Sequence, residues 1–403
     1  MPVSDGVPRK KVTTTHGRYY AERQALSRRK KILIIQLLRR RKGTKALRTS
    51  TIKVTKPRIT KGEALSILIG TQIGAGVLGL PYAASKVGLI PALGVLMGVM
   101  LLMLATAMIV LKMSASMGGA QMSTLAERTL GKVGGWTMYV SIFIMSFGAL
   151  LAYVSGMGSV FANLFGISPT LGAIIFWVSA SLVVWYGLEA SGKTELVMSF
   201  VMLFLFIGAA LMLAPHAKLS NALYSNFRGI LAITGVAIFA LGCHTVIPDV
   251  YKGLGSYDDT KKVVILAFII PTSIYAMFMA VFLLAFGRNT PQIATLGLKS
   301  LYGRLGSIVG NLIPLLAITT SYIGIALAQE SNSKEFARMS KPVAWALTVI
   351  PPLVVYLAGI KNFADVLAFA GDTGDLMSFI ILPIAMYLTW RAIGARRKST
   401  AST

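Results

Sequence analysis

The stretch GTQIGAGVLGLPY covers residues 70–82, and the stretch ITGVAIFALGCHTVIPDVY covers residues 233–251. Both are hydrophobic, both are interrupted near the middle by small residues, and a proline follows each interruption. A helix in a bilayer normally satisfies its backbone hydrogen-bonding groups internally, so an interruption is tolerated only beside a cavity or a bound solute. Two such interruptions in corresponding halves of a chain indicate the central binding site of a secondary transporter. The two stretches therefore predict a pair of discontinuous membrane helices.

The composition of the whole chain supports a membrane protein. Of 403 residues, 55% are hydrophobic and 13% are charged, and the mean hydropathy is +0.70. A soluble domain would have about 25% charged residues. The apolar runs are apolar around the whole helical circumference, whereas strands of a membrane barrel would alternate with polar positions. We therefore expect an all-α integral membrane protein.

The apolar runs are long enough to cross a bilayer, which takes about 20 residues per helix. They predict about ten transmembrane helices, of which the first and the sixth are discontinuous. The ten predicted spans are 63–85, 88–111, 135–164, 169–188, 194–214, 229–250, 263–287, 307–330, 342–360 and 363–390.

The distribution of basic residues predicts the orientation of these spans. With the N-terminus in the cytoplasm, only seven of the 40 Lys and Arg residues fall on the outer side, namely Lys86, Lys218, Arg228, Arg288, Lys299, Arg304 and Lys361. Basic loops are retained on the cytoplasmic side of a membrane. We therefore expect a multi-pass protein of the cell (plasma) membrane with both termini in the cytoplasm.

The two ends of the chain differ from the apolar middle. Residues 1–61 are polar and strongly basic, and we expect a disordered cytoplasmic tail attracted to anionic lipids of the inner leaflet. Residues 392–403 form a cytoplasmic C-terminal tail, and residues 62–391 form the transporter domain. Basic charge alone also suits nucleic acid, but the aromatic residues of the tail are limited to Tyr19 and Tyr20 and are not interleaved along the basic stretch, so no nucleic-acid partner is expected.

Three segments resemble amino acid permeases: GTQIGAGVLGLPYAASKVG at 70–88, FALGCHTVIPDVY at 239–251 and AITTSYIGIALA at 317–328. The family that they resemble is the amino acid-polyamine-organocation superfamily, in particular its amino acid/auxin permeases and its aromatic and hydroxy amino acid permeases. The resemblance covers about residues 62–391. It implies a LeuT-type fold of two inverted five-helix repeats, here 62–214 and 229–391.

The resemblance also implies a function. It indicates a secondary active transporter that moves α-amino acids by alternating access, with the first and sixth spans moving against a scaffold of spans 3, 4, 8 and 9. A membrane sensor or receptor that binds an amino acid without moving it is the alternative.

The chemistry of the two interruptions suits a zwitterionic amino acid. Unwinding the first span frees N–H groups at a helix N-terminus, where the positive end of the helix dipole favours a carboxylate. Unwinding the sixth span frees carbonyl groups at a helix C-terminus, which suits an ammonium group. Glycines allow the solute to approach the backbone closely, although they also permit close helix packing. The predicted substrate-binding residues are Ile73, Gly74, Ala75, Gly76, Val77, Phe239, Ala240, Leu241, Gly242 and Cys243.

The coupling ion is open between sodium and protons. The resemblance implies a sodium site formed by Gly70, Ile73, Ala317, Thr320 and Ser321. The alternative for the two hydroxyl groups is a hydrogen bond to the carbonyl one helical turn back. Some proton-coupled relatives have a lysine in the fifth span, and residues 194–214 contain none. Sodium is therefore preferred.

Three side chains are candidates for proton coupling. Asp372 and Asp375 lie within the tenth span, and an ionisable group at membrane depth is costly enough to indicate function. They alternatively line a water-filled outer gate. His244 titrates near neutral pH when unperturbed, or it hydrogen-bonds the unwound backbone beside it.

Other functional classes find little support in the sequence. Neither a filter-like carbonyl loop nor a repeated charge ring of a channel is present, and no HExxH or GxSxG motif of an enzyme is present. Cys243 is the only cysteine. An enzyme and a cofactor are therefore not expected. The pattern does not decide which amino acid is carried.

Overall fold

The computed structural model describes residues 59–186 and 192–399, and every regular element within these ranges is helical. The predicted N-terminal tail therefore lies almost entirely outside the described residues, as does the end of the C-terminal tail. In chain order the α-helices are α1 Lys61–Gln72, α2 Ala75–Val87, α3 Leu89–Ser116, α4 Met122–Phe165, α5 Pro169–Tyr186, α6 Gly192–Leu213, α7 Ile230–Ala240, α8 Ile247–Leu254, α9 Tyr257–Phe286, α10 Leu298–Glu335, α11 Lys341–Leu357, α12 Phe363–Ala370 and α13 Leu382–Ser399. The segment Gly371–Ile381, between α12 and α13, is π-helical.

The membrane prediction is confirmed in its coarser form, an all-helical protein with many apolar helices. Among the described residues, six helices are long and apolar enough to cross a membrane, and the bent pair α1 and α2 makes a seventh. Shorter apolar helices cover Phe200–His216, Phe227–Ala240 and Lys341–Leu357. Large apolar side chains such as Phe204, Leu211 and Leu231 are 68–77% exposed. Side chains of this kind are suited to contact with lipid, whereas a soluble surface would expose few of them together.

Local sequence signals explain several helix ends. Thr60 and Glu63 form a reciprocal capping box at the start of α1, which satisfies two N–H groups that lack partners within the helix. At the junction of α2 and α3, Gly88 has φ +98°, a conformation that disfavours side chains. A Cβ at Gly88 would also collide with the carbonyl oxygen of Tyr224. Glycine at this position therefore permits both the sharp turn and the packing of the 214–229 connection over the end of α2.

Helix α4 is the centre of the described bundle. It packs against α5, α10, α11, α12 and the π-helical segment. It bends at Gly131, which has φ +76° inside the helix. Glycines allow close packing here, because a Cβ at Gly374 would collide with the backbone of Met145 in α4.

The interrupted helices lie together in the bundle. Helix α2 packs against α7, α1 packs against α9 and α6, and α7 packs against α3, α12 and the π-helical segment. This arrangement brings the interruptions of two distant parts of the chain to one place.

Candidate functional site

The first interruption lies between α1 and α2, which meet at an angle of 46°. Ile73 has ψ +71° and Gly74 has φ −118° and ψ −144°, so neither residue is helical. The N–H of Ile73 still donates to Ile69 O at 2.7 Å, and the N–H of Gly74 turns back to Gln72 O at 2.7 Å. The first N–H groups of α2, which begins at Ala75, have no acceptor within the helix. The sequence of this interruption therefore produces a helix N-terminus in the middle of an apolar stretch.

The second interruption lies between α7 and α8 and covers Leu241–Val246. The N–H of Leu241 donates to Ala237 O at 3.0 Å, and that of Gly242 donates to Phe239 O at 3.2 Å, so the last turn of α7 tightens before the chain leaves the helix. A Cβ at Gly242 would lie 2.7 Å from the ring of Phe379. The unwound chain is therefore packed against the tenth predicted span.

The two interruptions are in direct contact. A Cβ at Gly76 would lie 2.7 Å from both Cα and Cβ of Ala240, distances that van der Waals packing does not allow. The N-terminal turn of α2 and the C-terminal turn of α7 therefore touch through their backbones. The positive end of one helix dipole and the negative end of another meet at this contact.

A hydroxyl group of α9 joins the same two chain segments. The Tyr275 hydroxyl is 2.6 Å from Gln72 O, at the end of α1, and 3.1 Å from Ala240 O, at the end of α7. Its single hydrogen is shared between two carbonyl oxygens at helix ends, and Gln72 O accepts the N–H of Gly74 as well. Tyr275 is fully buried. It therefore links both interruptions to α9.

A second link runs directly between the interruptions. The side-chain amide of Gln72 donates to the Cys243 sulfur at 3.0 Å. The other amide atom, Gln72 Oε1, is buried and has no hydrogen-bond partner within the described residues. Sequence reasoning missed Gln72 and Tyr275. The signal that was available is that a buried amide in an apolar span requires polar partners.

Aromatic side chains lie beside the interruptions. Tyr153 of α4 and Phe239 of α7 are both buried, and their rings meet edge to face with centroids 6.4 Å apart. A Cβ at Gly74 would lie 3.9 Å from the Tyr153 hydroxyl. The site therefore has an aromatic wall next to the backbone of the first interruption.

The residues of the predicted sodium site fall into two groups. Ser321 lies against the first interruption, because a Cβ at Gly74 would collide with its hydroxyl. The Ser321 hydroxyl is buried, and the Tyr153 side chain lies close enough to interact with it. In contrast, the Thr320 hydroxyl donates along its own helix, to Leu316 O at 3.0 Å and to Ala317 O at 3.3 Å. Ser321 therefore lies next to Gly74, the residue that follows Ile73. Gly70 lies about one helical turn before Ile73, within α1.

The three proton-coupling candidates occupy different environments. His244 is fully buried, its Nε2 is 2.9 Å from the Thr106 hydroxyl, and its ring stacks on Phe379 with centroids 4.7 Å apart. Its hydrogen-bond partner is therefore a side chain of α3. Asp372 is exposed and packs against Gly235 of α7.

Asp375 differs from Asp372 although both lie in the π-helical segment Gly371–Ile381. Asp375 is 1% exposed, and neither of its carboxylate oxygens has a hydrogen-bond partner within the described residues. An unpartnered carboxylate at this depth is costly, and π-helical turns occur frequently at functional sites. Asp375 is therefore a stronger functional candidate than Asp372. Among the described residues, no group of three or more His, Cys, Asp or Glu is arranged to hold a metal ion.

Comparisons with known proteins show similarity to amino acid permeases. A model of the tryptophan/tyrosine permease family matches residues 58–401. Tyrosine-specific transport system 1 of Haemophilus influenzae is 26% identical over 359 residues, which cover 83% of this chain and 88% of that protein. Glutamine transporter 2 of Aliivibrio fischeri is 25% identical over 352 residues, covering 82% of this chain and 89% of that protein. The low affinity tryptophan permease of Proteus vulgaris is 24% identical, covering 81% and 85%.

The fold also resembles that of a solved transporter. Mhp1, a transporter of the nucleobase-cation-symport-1 family, superposes with a TM-score of 0.54 over 77% of this chain and 75% of that chain. The two sequences are 11% identical. The likeness therefore concerns the arrangement of helices and not the substrate.

Proposed function

The chain belongs to the tryptophan/tyrosine permease family, and from this premise we propose that it transports an aromatic α-amino acid across the membrane by alternating access. The observation that carries the proposal is the backbone contact between Gly76 and Ala240. This contact places a helix N-terminus and a helix C-terminus of opposite dipole sign at one point, where a zwitterion satisfies both.

The amino acid backbone is proposed to bind the two interruptions. Its carboxylate accepts hydrogen bonds from the N–H groups at the start of α2, residues 75–77, and its ammonium group donates to carbonyl groups at the end of α7, residues 239–241. Ile73, Gly74, Gly242 and Cys243 complete the proposed site. Tyr275 is proposed to support this site indirectly. Its neutral hydroxyl fixes Gln72 O and Ala240 O by hydrogen bonds.

The aromatic preference is supported by the side chains around the site. The Tyr153 hydroxyl lies beside Gly74, and the Phe239 ring meets the Tyr153 ring edge to face. Aromatic pairs of this kind offer stacked or edge-to-face contacts to a third ring. The names of the tyrosine and tryptophan transporters among the relatives point to the same class of substrate. The glutamine transporter among them makes glutamine the necessary comparison substrate.

The movement is proposed to follow the architecture of two inverted five-helix repeats, 62–214 and 229–391, within ten spans. The interrupted helices α1, α2, α7 and α8 would move against a scaffold of α4, α5, α10 and α11. Mutual packing of α4 with α5, α10 and α11 supports a rigid scaffold. The charge distribution supports placing both termini in the cytoplasm and the protein in the plasma membrane.

Coupling to sodium is the preferred form of the proposal. The buried Ser321 hydroxyl lies beside the unwound backbone at Gly74, and oxygen ligands of this kind suit a hard cation. Thr320 also remains a ligand in the proposal, because a hydroxyl that donates one hydrogen bond keeps its lone pairs. Proton coupling through the buried Asp375 is the alternative.

The experiment that tests the proposed function is uptake by the purified protein in liposomes. Radiolabelled L-tyrosine, L-tryptophan and L-glutamine are supplied outside, with sodium or with choline at equal ionic strength. We expect L-tyrosine or L-tryptophan to accumulate above the equilibrium level when a sodium gradient is present. Accumulation driven by a pH gradient alone would indicate that protons and not sodium drive transport, with Asp375 as the proposed proton-binding group.

Two results would contradict the proposed function. Accumulation of glutamine and not of either aromatic amino acid would overturn the proposed substrate class. Thermal stabilisation by an amino acid, which reports binding to the folded state, combined with no flux in either direction, would identify a sensor and not a carrier.

A further inference from the structure

A separate cavity of about 260 Å³ lies at the end of the bundle that the charge distribution assigns to the cytoplasm. Its walls are the N-terminal half of α4, the chain from Thr245 to Lys252, and the C-terminal half of α10. We call it the inner cavity. Thr245 belongs to the second interruption, residues 241–246, so the cavity reaches the end of that interruption. A pocket of this volume suits a small solute.

The α10 wall carries two half-satisfied amide groups. Gln329 is 1% exposed; its Nε2 is 3.1 Å from Ser333 Oγ, and its Oε1 has no hydrogen-bond partner within the described residues. Asn332 Oδ1 accepts from Ser123 Oγ at 3.2 Å, and Asn332 Nδ2 is likewise buried without a described partner. Residues three apart share one face of a helix. The residues that line this wall therefore include an acceptor and a donor without described partners, and both atoms are covered by their neighbours, so they become available when the amide side chains turn toward the cavity.

The facing wall carries a charge of each sign. Asp249 Oδ1 accepts from Gln121 Nε2 at 2.6 Å and lies 3.4 Å from Lys252 Nζ. All three residues line the inner cavity. Because Asp249 is more than half exposed, its carboxylate has further capacity to accept a hydrogen bond. The wall therefore offers an anion and a cation to a ligand that carries both charges.

Another part of the lining is apolar and includes Ile142, Met145 and Ile325, while Ser146, Thr245 and Glu335 are polar residues of the same cavity. Methionine side chains adapt to irregular shapes and contact aromatic rings favourably. A ligand with a zwitterionic head and an apolar side chain thus matches the cavity better than an inorganic ion or a sugar does.

We propose that the inner cavity is a second binding site for the transported amino acid, occupied after the solute leaves the two interruptions and before it reaches the cytoplasm. Its ammonium group would contact Asp249 and Gln329 Oε1, and its carboxylate would contact Asn332 Nδ2 and Lys252. The inference rests on the proposed function, because it takes the transported amino acid as the ligand. It adds a second site that the interruptions do not form.

Binding stoichiometry of the full-length protein tests the inference. Equilibrium dialysis with radiolabelled L-tyrosine and L-tryptophan should give two sites per chain in the wild type, one tight and one weak. The double variant Gln329→Leu with Asn332→Leu should keep the tight site and lose the weak one. Asp249→Asn changes the opposite wall with little change of volume and should weaken only the weak site, by tenfold or more.

Ser331→Ala is the matched control, because Ser331 lines the same cavity but its hydroxyl already bonds Glu335. It should leave both sites unchanged. Wild-type protein with one site, or a second site that survives all of these substitutions, overturns the inference and leaves the proposed function standing. Binding of neither amino acid contradicts both.

Discussion

At the scale of single residues, the geometry of the site depends on two glycines, which have no Cβ atom. Gly76 has no Cβ, and this allows α2 and α7 to touch through their backbones at Ala240. Gly74 has no Cβ, and this allows the Ser321 hydroxyl to lie against the unwound chain. Glycine is therefore needed at these two positions for close approach and not for a left-handed backbone, since Gly74 has a negative φ.

The replacement Gly76→Ala should weaken substrate binding. The added Cβ meets backbone as well as side chain at 2.7 Å, and relief of such overpacking costs about 1–3 kcal/mol. If that cost falls on the bound state, apparent affinity falls roughly five- to 150-fold. The measurement is the concentration of amino acid that gives half-maximal uptake in liposomes.

Gly98→Ala is the control for this prediction, because nothing lies within 4 Å of a Cβ at Gly98 in α3. It should transport normally and gain slight helix stability. Equal behaviour of the two variants would show that the contact between α2 and α7 does not matter for binding.

The replacement Ser321→Ala should raise the sodium concentration required for half-maximal uptake. It removes one proposed oxygen ligand, and because loss of even a supporting group of a metal site costs about 10–100-fold in affinity, we expect an increase of at least about tenfold. Thr319→Ala is the neighbouring control, since the Thr319 hydroxyl bonds Leu315 O within its own helix. A sodium dependence that is the same in wild type and Ser321→Ala would remove Ser321 from the coupling site.

At the scale of helices, the interrupted elements are tied to each other and to their neighbours by few, specific contacts. The Tyr275 hydroxyl reaches the ends of α1 and α7, and Gln72 reaches Cys243 beyond the end of α7. On the other side, Gly235 of α7 meets Gly371 of the π-helical segment so closely that a Cβ at Gly371 would collide with the Gly235 carbonyl. The helix ends in the site are therefore positioned by α9 on one side and by the π-helical segment on the other.

The replacement Tyr275→Phe should reduce both stability and transport. It leaves two buried carbonyl groups with one donor fewer, which costs about 1–3 kcal/mol, and it separates α9 from both interruptions. Thermal unfolding and amino acid uptake are measured on the same preparation.

Tyr322→Phe makes the same chemical change in a control position. Tyr322 is also fully buried, but its hydroxyl bonds Ser181 and joins α10 to α5 within the scaffold. We expect it to lower stability with little effect on apparent substrate affinity. If both variants change stability and affinity in the same proportion, Tyr275 has a structural role only.

At the scale of the whole molecule, transport requires that the site reach each side of the membrane in turn. The described structure encloses the interruptions, since Cys243 and Ala240 are almost fully buried, while the inner cavity approaches the second interruption. Alternating access therefore predicts a change in the exposure of Cys243 during the cycle, and Cys243 is the only cysteine of the chain.

Alkylation of Cys243 by N-ethylmaleimide reports this change without any substitution. A thiol reacts only when it is accessible, so the rate follows the fraction of molecules that open the second interruption. Saturating substrate should change the rate severalfold, and a Cys243→Ala variant should take up no label. An identical rate with and without substrate would contradict alternating access through this part of the chain.

The sequence by itself determined the class of protein, and it singled out the two segments in which helices α1 and α7 end. Hydropathy and runs of small residues are local properties, so apolar helices and the special character of residues 70–82 and 233–251 are readable one segment at a time. The resemblance of those segments to amino acid permeases agrees with the family to which the chain belongs.

Only the tertiary structure decided which groups complete the site. Tyr275 is 203 residues from Gln72 along the chain, and nothing in the local pattern around either residue indicates the other. The Ser321 hydroxyl lies at the first interruption, whereas the hydroxyl of the adjacent Thr320 turns back into its own helix. This difference depends on the rotation of α10 about its axis. The separation of the buried Asp375 from the exposed Asp372 likewise depends on packing of the π-helical segment. Long-range contacts, helix rotation and burial arise from the packing of the whole chain, and therefore only the folded structure fixes them.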